Sequence, residues 1–237
     1  MQLENRKVIV MGGSSGIGLG IAREAAKQGA EVVIVGRSRE KLEQAVAGSG
    51  AAHLRGVSCD VGNPAEVERC LESVGVVDHV VLTAVEGYYR NVRELDIDRA
   101  RRTLETKIVA ALAVAKYARF GTDASLTLTA GVAAQRPGPG GSVIAAVNGA
   151  VEALVRALAL ELRPVRVNAL SPGWVDTPFW DSFAGSSKAQ RFQAQAERLP
   201  VGRVGTPEDL ASAALLLMTN GFITGEVLRV DGGHRLV

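Results

Sequence analysis

A chain of 237 residues is long enough to bury one full core and leaves no need for a second domain. Its 47 % apolar and 22 % charged residues match an ordinary globular chain and exclude a disordered one. A net charge of +2, with basic and acidic residues interleaved, leaves no footprint for a nucleic acid. Cys59 and Cys70 have no histidine at ligand spacing and read as reduced core thiols rather than a disulfide framework or a metal site. Residues 1 to 6 lead straight into a strand, and no apolar run approaches the roughly 20 residues of a membrane span, so the expectation is a cytoplasmic chain with no membrane partner.

The first predicted strand, 7–11, runs into Gly12-Gly13-Ser14-Ser15-Gly16-Ile17-Gly18 and a helix from Leu19 to about Gln28. A glycine-rich turn between strand and helix lets backbone N–H groups and the helix dipole face a pyrophosphate. Gly12, Ser14, Ser15, Gly16, Ile17 and Gly18 are therefore the expected cradle of a dinucleotide. The second strand, 31–36, is largely apolar, as a parallel strand covered on both faces must be, and ends in Gly36-Arg37-Ser38-Arg39. An acidic residue there would take the ribose hydroxyls of an unphosphorylated dinucleotide. Arg37 instead matches a 2′-phosphate with a planar fork of charged donors, which favours NADP(H) over NAD(H); the competing reading is a solvated helix start.

Strands follow at about 53–58 and 78–84. Glu86, Tyr88 and Tyr89 come just after the fourth, where open parallel sheets place their ligands. Glu86 is a candidate base and either tyrosine a candidate partner for a substrate oxygen, with Ser142 a further possibility; the alternative is that these residues only shape a pocket. Alanine-rich helical patterns cover 99–119 and 142–162, and Pro164 stops the second. Between them lie a strand at about 124–130 and a flexible wall from Arg136 to Gly141. After the sixth strand, 165–170, Trp174, Phe179, Trp180 and Phe183 precede a polar helical stretch near 186–197, and a seventh strand covers about 226–230. His53, His79 and His234 match no site pattern and read as structural.

The spacing of Gly12, Gly16 and Gly18 resembles the short-chain dehydrogenase/reductase family. The resemblance continues through Cys59-Asp60-Val61, Val167-Asn168-Ala169-Leu170-Ser171-Pro172-Gly173, Val175-Asp176-Thr177-Pro178, Thr224-Gly225 and Asp231-Gly232-Gly233. It implies a doubly wound Rossmann fold with a single seven-stranded parallel sheet flanked by helices. It also implies an NAD(P) cofactor, with Asp60 and Val61 at the adenine and Pro172, Gly173, Val175 and Thr177 along the nicotinamide half. Leu82-Thr83-Ala84-Val85 correspond to the family's Asn-Asn-Ala-Gly, which brings Thr83 and Ala84 to the cofactor. The aromatic segment corresponds to the family's substrate lid, about 174–203, and suits an apolar or ring-containing small molecule. The helices near 99–119 and 142–162 correspond to an oligomer interface, a tetramer or a dimer.

The family works with a serine, a Tyr-x-x-x-Lys pair and an asparagine. By the same resemblance those positions hold Gly131, Ile144, Asn148 and Lys107. Ile144 has no proton to give, and losing a general acid costs roughly 10² to 10⁴ in rate. Lys107 and Asn148 have exchanged identities. Either the charge has crossed sides and an ammonium still faces the nicotinamide ribose, or two independent changes have occurred and Lys107 reaches for water. Three functions follow: an NADP(H)-dependent oxidoreductase, or a lyase or isomerase, with an altered active site; a catalytically silent NADP(H) binder that senses or assembles with a partner; and a structural oligomer, the least favoured because the glycine turn and Arg37 are intact.

Overall fold

The computed structural model describes residues 2–51 and 53–237. Its centre is one parallel sheet in the order β3-β2-β1-β4-β5-β6-β7, built from β1 (Lys7–Met11), β2 (Glu31–Gly36), β3 (Leu54–Ser58), β4 (Val76–Leu82), β5 (Arg119–Thr129), β6 (Arg166–Pro172) and β7 (Val227–Val230). Val8 to Met11 and Val32 to Val35 are fully buried, as strands with helices on both faces require. On one face, α1 (Gly16–Lys27), α2 (Arg39–Ala47) and α9 (Pro207–Thr219) pack Ile21, Leu42 and Leu210 into one core. On the other, α3 (Pro64–Val74), α5 (Ala110–Tyr117) and α6 (Ser142–Glu161) bury Val67, Val114 and Val155, together with the free thiols Cys59 and Cys70. The order reverses between β1 and β4. At that point loops from both directions leave a crevice at the carboxyl ends of the strands.

Two boundaries differ from expectation. β5 starts at Arg119, not near 124, because Val76 and Val77 pair with Arg119 and Phe120 before the register shifts ahead of His79. Asp123, at φ 60°, gives the backbone room for that irregularity. The helix expected over 99–119 is three pieces, α4 (Ile97–Leu104), a π-helical turn (Glu105–Val109) and α5, with Lys107 inside the π turn. Helix α6 is also, by length and composition alone, apolar enough to cross a membrane, which counting unbroken apolar runs overlooked because Asn148, Glu152 and Arg156 interrupt it. In the fold it lies along the sheet and buries Val147, Val151 and Val155.

Candidate functional site

The glycine turn owes its shape to steric need. Gly12 (φ 92°) and Gly16 (φ 53°) occupy the left-handed region, which a side chain disfavours. A Cβ on Gly12 would lie 2.6 Å from the Ala84 nitrogen and 2.7 Å from Thr83 Oγ1, and one on Gly18 would overlap the Gly12 carbonyl. Thr83 and Ala84 therefore brace the turn. Both of their N–H groups donate to the Met11 carbonyl, at 2.8 and 3.1 Å, and Thr83 Oγ1 donates to it as well. Ser15 is the N-cap of α1 in extended backbone, yet its side chain makes no capping bond, and the first turn carries no acidic residue. The opening amides of α1 thus keep their donors for an anion. Thr177 meets this turn from the far side, its Cβ 3.1 Å from where a Gly16 Cβ would stand.

At the end of β2, Ser14 lies over Gly36, while the Ser38 hydroxyl caps α2 by accepting from the Lys41 N–H at 3.2 Å, which leaves its own O–H to donate. Arg37 is not alone there. Its Nη1 donates to Glu86 Oε2 at 3.1 Å, so the carboxylate missing from the local sequence arrives from the loop after β4. Arg102 on α4 completes a cluster: it binds Asp60 through Nη2, reaches Glu105 at 3.3 Å and lies 3.7 Å from Glu86. Burial alone would raise the Asp60 pKa. The hydrogen bond and charge of Arg102, with the Gly62 N–H, outweigh it and hold the carboxyl below its usual value. Val61, beside Asp60, is a core residue. No sequence signal separated Arg102 from its neighbours Arg99 and Arg101.

Lys107, Gly131 and Asn148 come together at the end of β5. Lys107 is buried and donates from Nζ to the Thr129 and Ala130 carbonyls, the second at 3.1 Å. Burial brings its pKa down to about 7, and among the described residues no carboxylate forms an ion pair with it. Asn148, on α6, lies against the next residue: a Cβ on Gly131 would stand 2.7 Å from Asn148 Nδ2. Lys107 and Asn148 therefore flank the same Ala130-Gly131 stretch. Asn148 Oδ1 is buried without a hydrogen bond, as is Ser171 Oγ at the end of the neighbouring strand. Ile144 is buried one turn earlier on α6.

The other candidates scatter. The Tyr88 hydroxyl accepts from the Asp96 N–H at 2.8 Å, and its ring lies under the Arg99 guanidinium, 4.6 Å from the centroid. Glu86 belongs to the Arg37–Arg102 cluster instead of standing by Lys107. Ser142 is exposed at the start of α6. His79 pairs with Ser125 Oγ at 2.9 Å inside the protein, where burial takes its pKa down to about 4. His53 is exposed. His234 sits edge-on to Trp174 at 6.4 Å.

Gly173 is fixed by its close approach to Asp231, whose Cα lies 2.8 Å from its Cβ position, and Val175 bridges to Gly205. Beyond them α7 (Phe179–Ala184) and α8 (Lys188–Arg198) carry a continuous aromatic cluster. Trp174 and Trp180 lie 4.2 Å apart, and Tyr89 packs on Phe183 at 4.8 Å. Phe179 rests on Gly87, where a Cβ would meet its ring at 2.6 Å. The segment therefore closes on the loop that carries Glu86 and Tyr89.

Residues 12–235 match the family described as enoyl-(acyl carrier protein) reductase. The short-chain dehydrogenase/reductase malC of Malbranchea aurantiaca is 31 % identical over 253 residues, covering 99 % of this chain and 96 % of the relative. The solved structure of that protein, described as a reductase/Diels-Alderase, superposes with a TM-score of 0.92 over 100 % of this chain and 98 % of its own, at 30 % identity. L-sorbose reductase from Gluconobacter frateurii, solved with NADPH and L-sorbose, gives a TM-score of 0.91 at 26 % identity, with 100 % of both chains covered.

Proposed function

The chain belongs to the short-chain dehydrogenase/reductase family, and on that footing we propose that it is an NADP(H)-dependent oxidoreductase interconverting a small, apolar or ring-containing carbonyl compound and its alcohol through an altered active site. The observation that carries this reading is the uncapped N-terminus of α1 behind a turn that only glycines fit at 12 and 18, with Arg37 at the end of the adjacent strand. Such a cradle is shaped for a pyrophosphate.

In this reading the backbone from Gly12 to Gly18, with Ser14, Ser15 and Ile17, holds the pyrophosphate, and Arg37 and Ser38 meet the 2′-phosphate. Thr83, Ala84, Asp60 and Val61 border the adenosine, and Pro172, Gly173, Val175 and Thr177 the nicotinamide. The bound nicotinamide supplies the two electrons and the hydrogen exchanged with the substrate. Lys107 manages the proton. With a pKa of about 7 it populates both forms at neutral pH. As an ammonium it has three N–H groups, two of them given to Thr129 and Ala130, which leaves one proton to pass to a substrate oxygen. Asn148 orients that oxygen, and the aromatic segment covers the substrate. Exposed apolar side chains at Leu104, Val109 and Leu112 support a homo-oligomer.

The test is NADPH fluorescence titration followed by turnover of cyclic and aromatic ketones. Unchanged fluorescence sinks the cofactor assignment. A silent binder is the second reading, favoured by the engagement of Tyr88 and Glu86 elsewhere. It predicts saturable NADPH binding with no NADPH consumption across the panel, an outcome that removes cyclic and aromatic ketones as substrates.

A further inference from the structure

Glu86 is fixed on both sides of its peptide. Its N–H donates to Thr106 Oγ1 at 3.1 Å and its carbonyl accepts from Thr103 Oγ1 at 2.8 Å, and both threonines are buried. Held this way, the carboxylate stands between Arg37 at 3.1 Å and Arg102 at 3.7 Å. Arg102 is already committed to Asp60 and Glu105. Two guanidinium groups face three carboxylates, so the cluster carries one excess negative charge. A 2′-phosphate, itself with a charge of about −2, can reach Arg37 only by taking it from Glu86 or by sitting beside a like charge. An unphosphorylated ribose meets no such conflict, because its hydroxyls donate to a carboxylate. The Glu86 side chain is 37 % exposed and the Arg37 side chain 62 %, so the pair can open without disturbing the core.

We infer that Glu86 sets the nucleotide selectivity of this site: as the internal counter-ion of Arg37 it competes with the 2′-phosphate and narrows the margin between phosphorylated and unphosphorylated dinucleotides. The inference rests on the reading that the glycine turn binds a nicotinamide dinucleotide. Sequence order alone hides it, since 49 residues separate the two partners.

The experiment is fluorescence titration of the full chain with NADPH and with NADH, for the wild type, Glu86→Gln and Glu86→Ala. Removing one like charge near the surface shifts the NADPH-to-NADH affinity ratio about tenfold towards NADPH. The shift shrinks as salt is raised from 50 to 500 mM, because exposed charges are screened. A ratio that stays within twofold of wild type in both variants overturns the selectivity role while leaving the cofactor site standing. If the wild type binds neither nucleotide, the cofactor reading falls and this role falls with it. Retained NADH binding in the variants separates a selectivity effect from misfolding.

Discussion

Replacing Lys107 by methionine removes a charge from a place where charging is costly. Burial brings this amine from 10.5 down to about 7, and its only hydrogen-bond acceptors among the described residues are the Thr129 and Ala130 carbonyls. In the unfolded chain it remains protonated to about pH 10.4. Between the two values the unfolded state binds one more proton than the folded state, so wild-type stability rises with pH by up to about 1.4 kcal/mol per unit. Over the full window this amounts to at most about 5 kcal/mol, fully felt as a penalty below pH 7 and absent above 10.5. Methionine keeps the apolar stem but leaves two carbonyls without a donor, a pH-independent cost of about 1–3 kcal/mol. Urea unfolding of both proteins at pH 6.5, 7.5, 8.5 and 9.5, at one protein concentration, separates the two effects. The stability difference should move in favour of wild type by about 1 kcal/mol per unit above pH 7. A difference that stays flat from pH 7 to 9.5 refutes the depressed amine, and with it the proton role proposed for Lys107.

Arg37→Ala should weaken NADPH by about 10- to 100-fold, the worth of charge-assisted hydrogen bonds to a phosphate, while NADH changes little; equal losses for both nucleotides would remove Arg37 from the phosphate. Gly18→Ala forces a methyl group onto the Gly12 carbonyl, so NADPH quenching should disappear and thermal melting should drop by several degrees, whereas an unperturbed titration would contradict the tight strand–helix approach. Asn148→Leu exchanges a buried amide whose Oδ1 has no partner for an apolar group of similar size. Its melting temperature should hold or rise while any NADPH-dependent turnover falls, and a large loss of stability would mean that the amide is satisfied after all.

The alternation of apolar strands with helices and the strand–turn–helix shape around Gly12 to Gly18 were legible because each depends on contiguous residues, namely periodicity, glycine conformations and short-range order. The single seven-stranded sheet followed from the family resemblance, since strand pairing is not local. The resemblance of the motifs extended that reading along the whole chain. Boundaries were less legible where pairing overrides local preference, as in the first residues of β5, which become strand only because Val76 and Val77 lie beside them.

At the candidate site, local sequence determined which side chains stand at the strand ends, and tertiary structure decided what each one meets. Arg37 reads as a free phosphate partner until the loop after β4 brings Glu86 to it, and Asp60 reads as free until α4 brings Arg102. Tyr88 has the right chemistry for a proton donor, yet the fold buries it with its hydroxyl turned to the Asp96 N–H. Lys107 reads either as an ammonium facing a ribose or as one reaching for water, and a π turn directs it into the protein against two carbonyls. The physical reason is common to all four. A charge or a proton donor acts through what lies within about 4 Å of it, and in a doubly wound sheet those neighbours come from crossovers distant in sequence, which only the packed fold brings together.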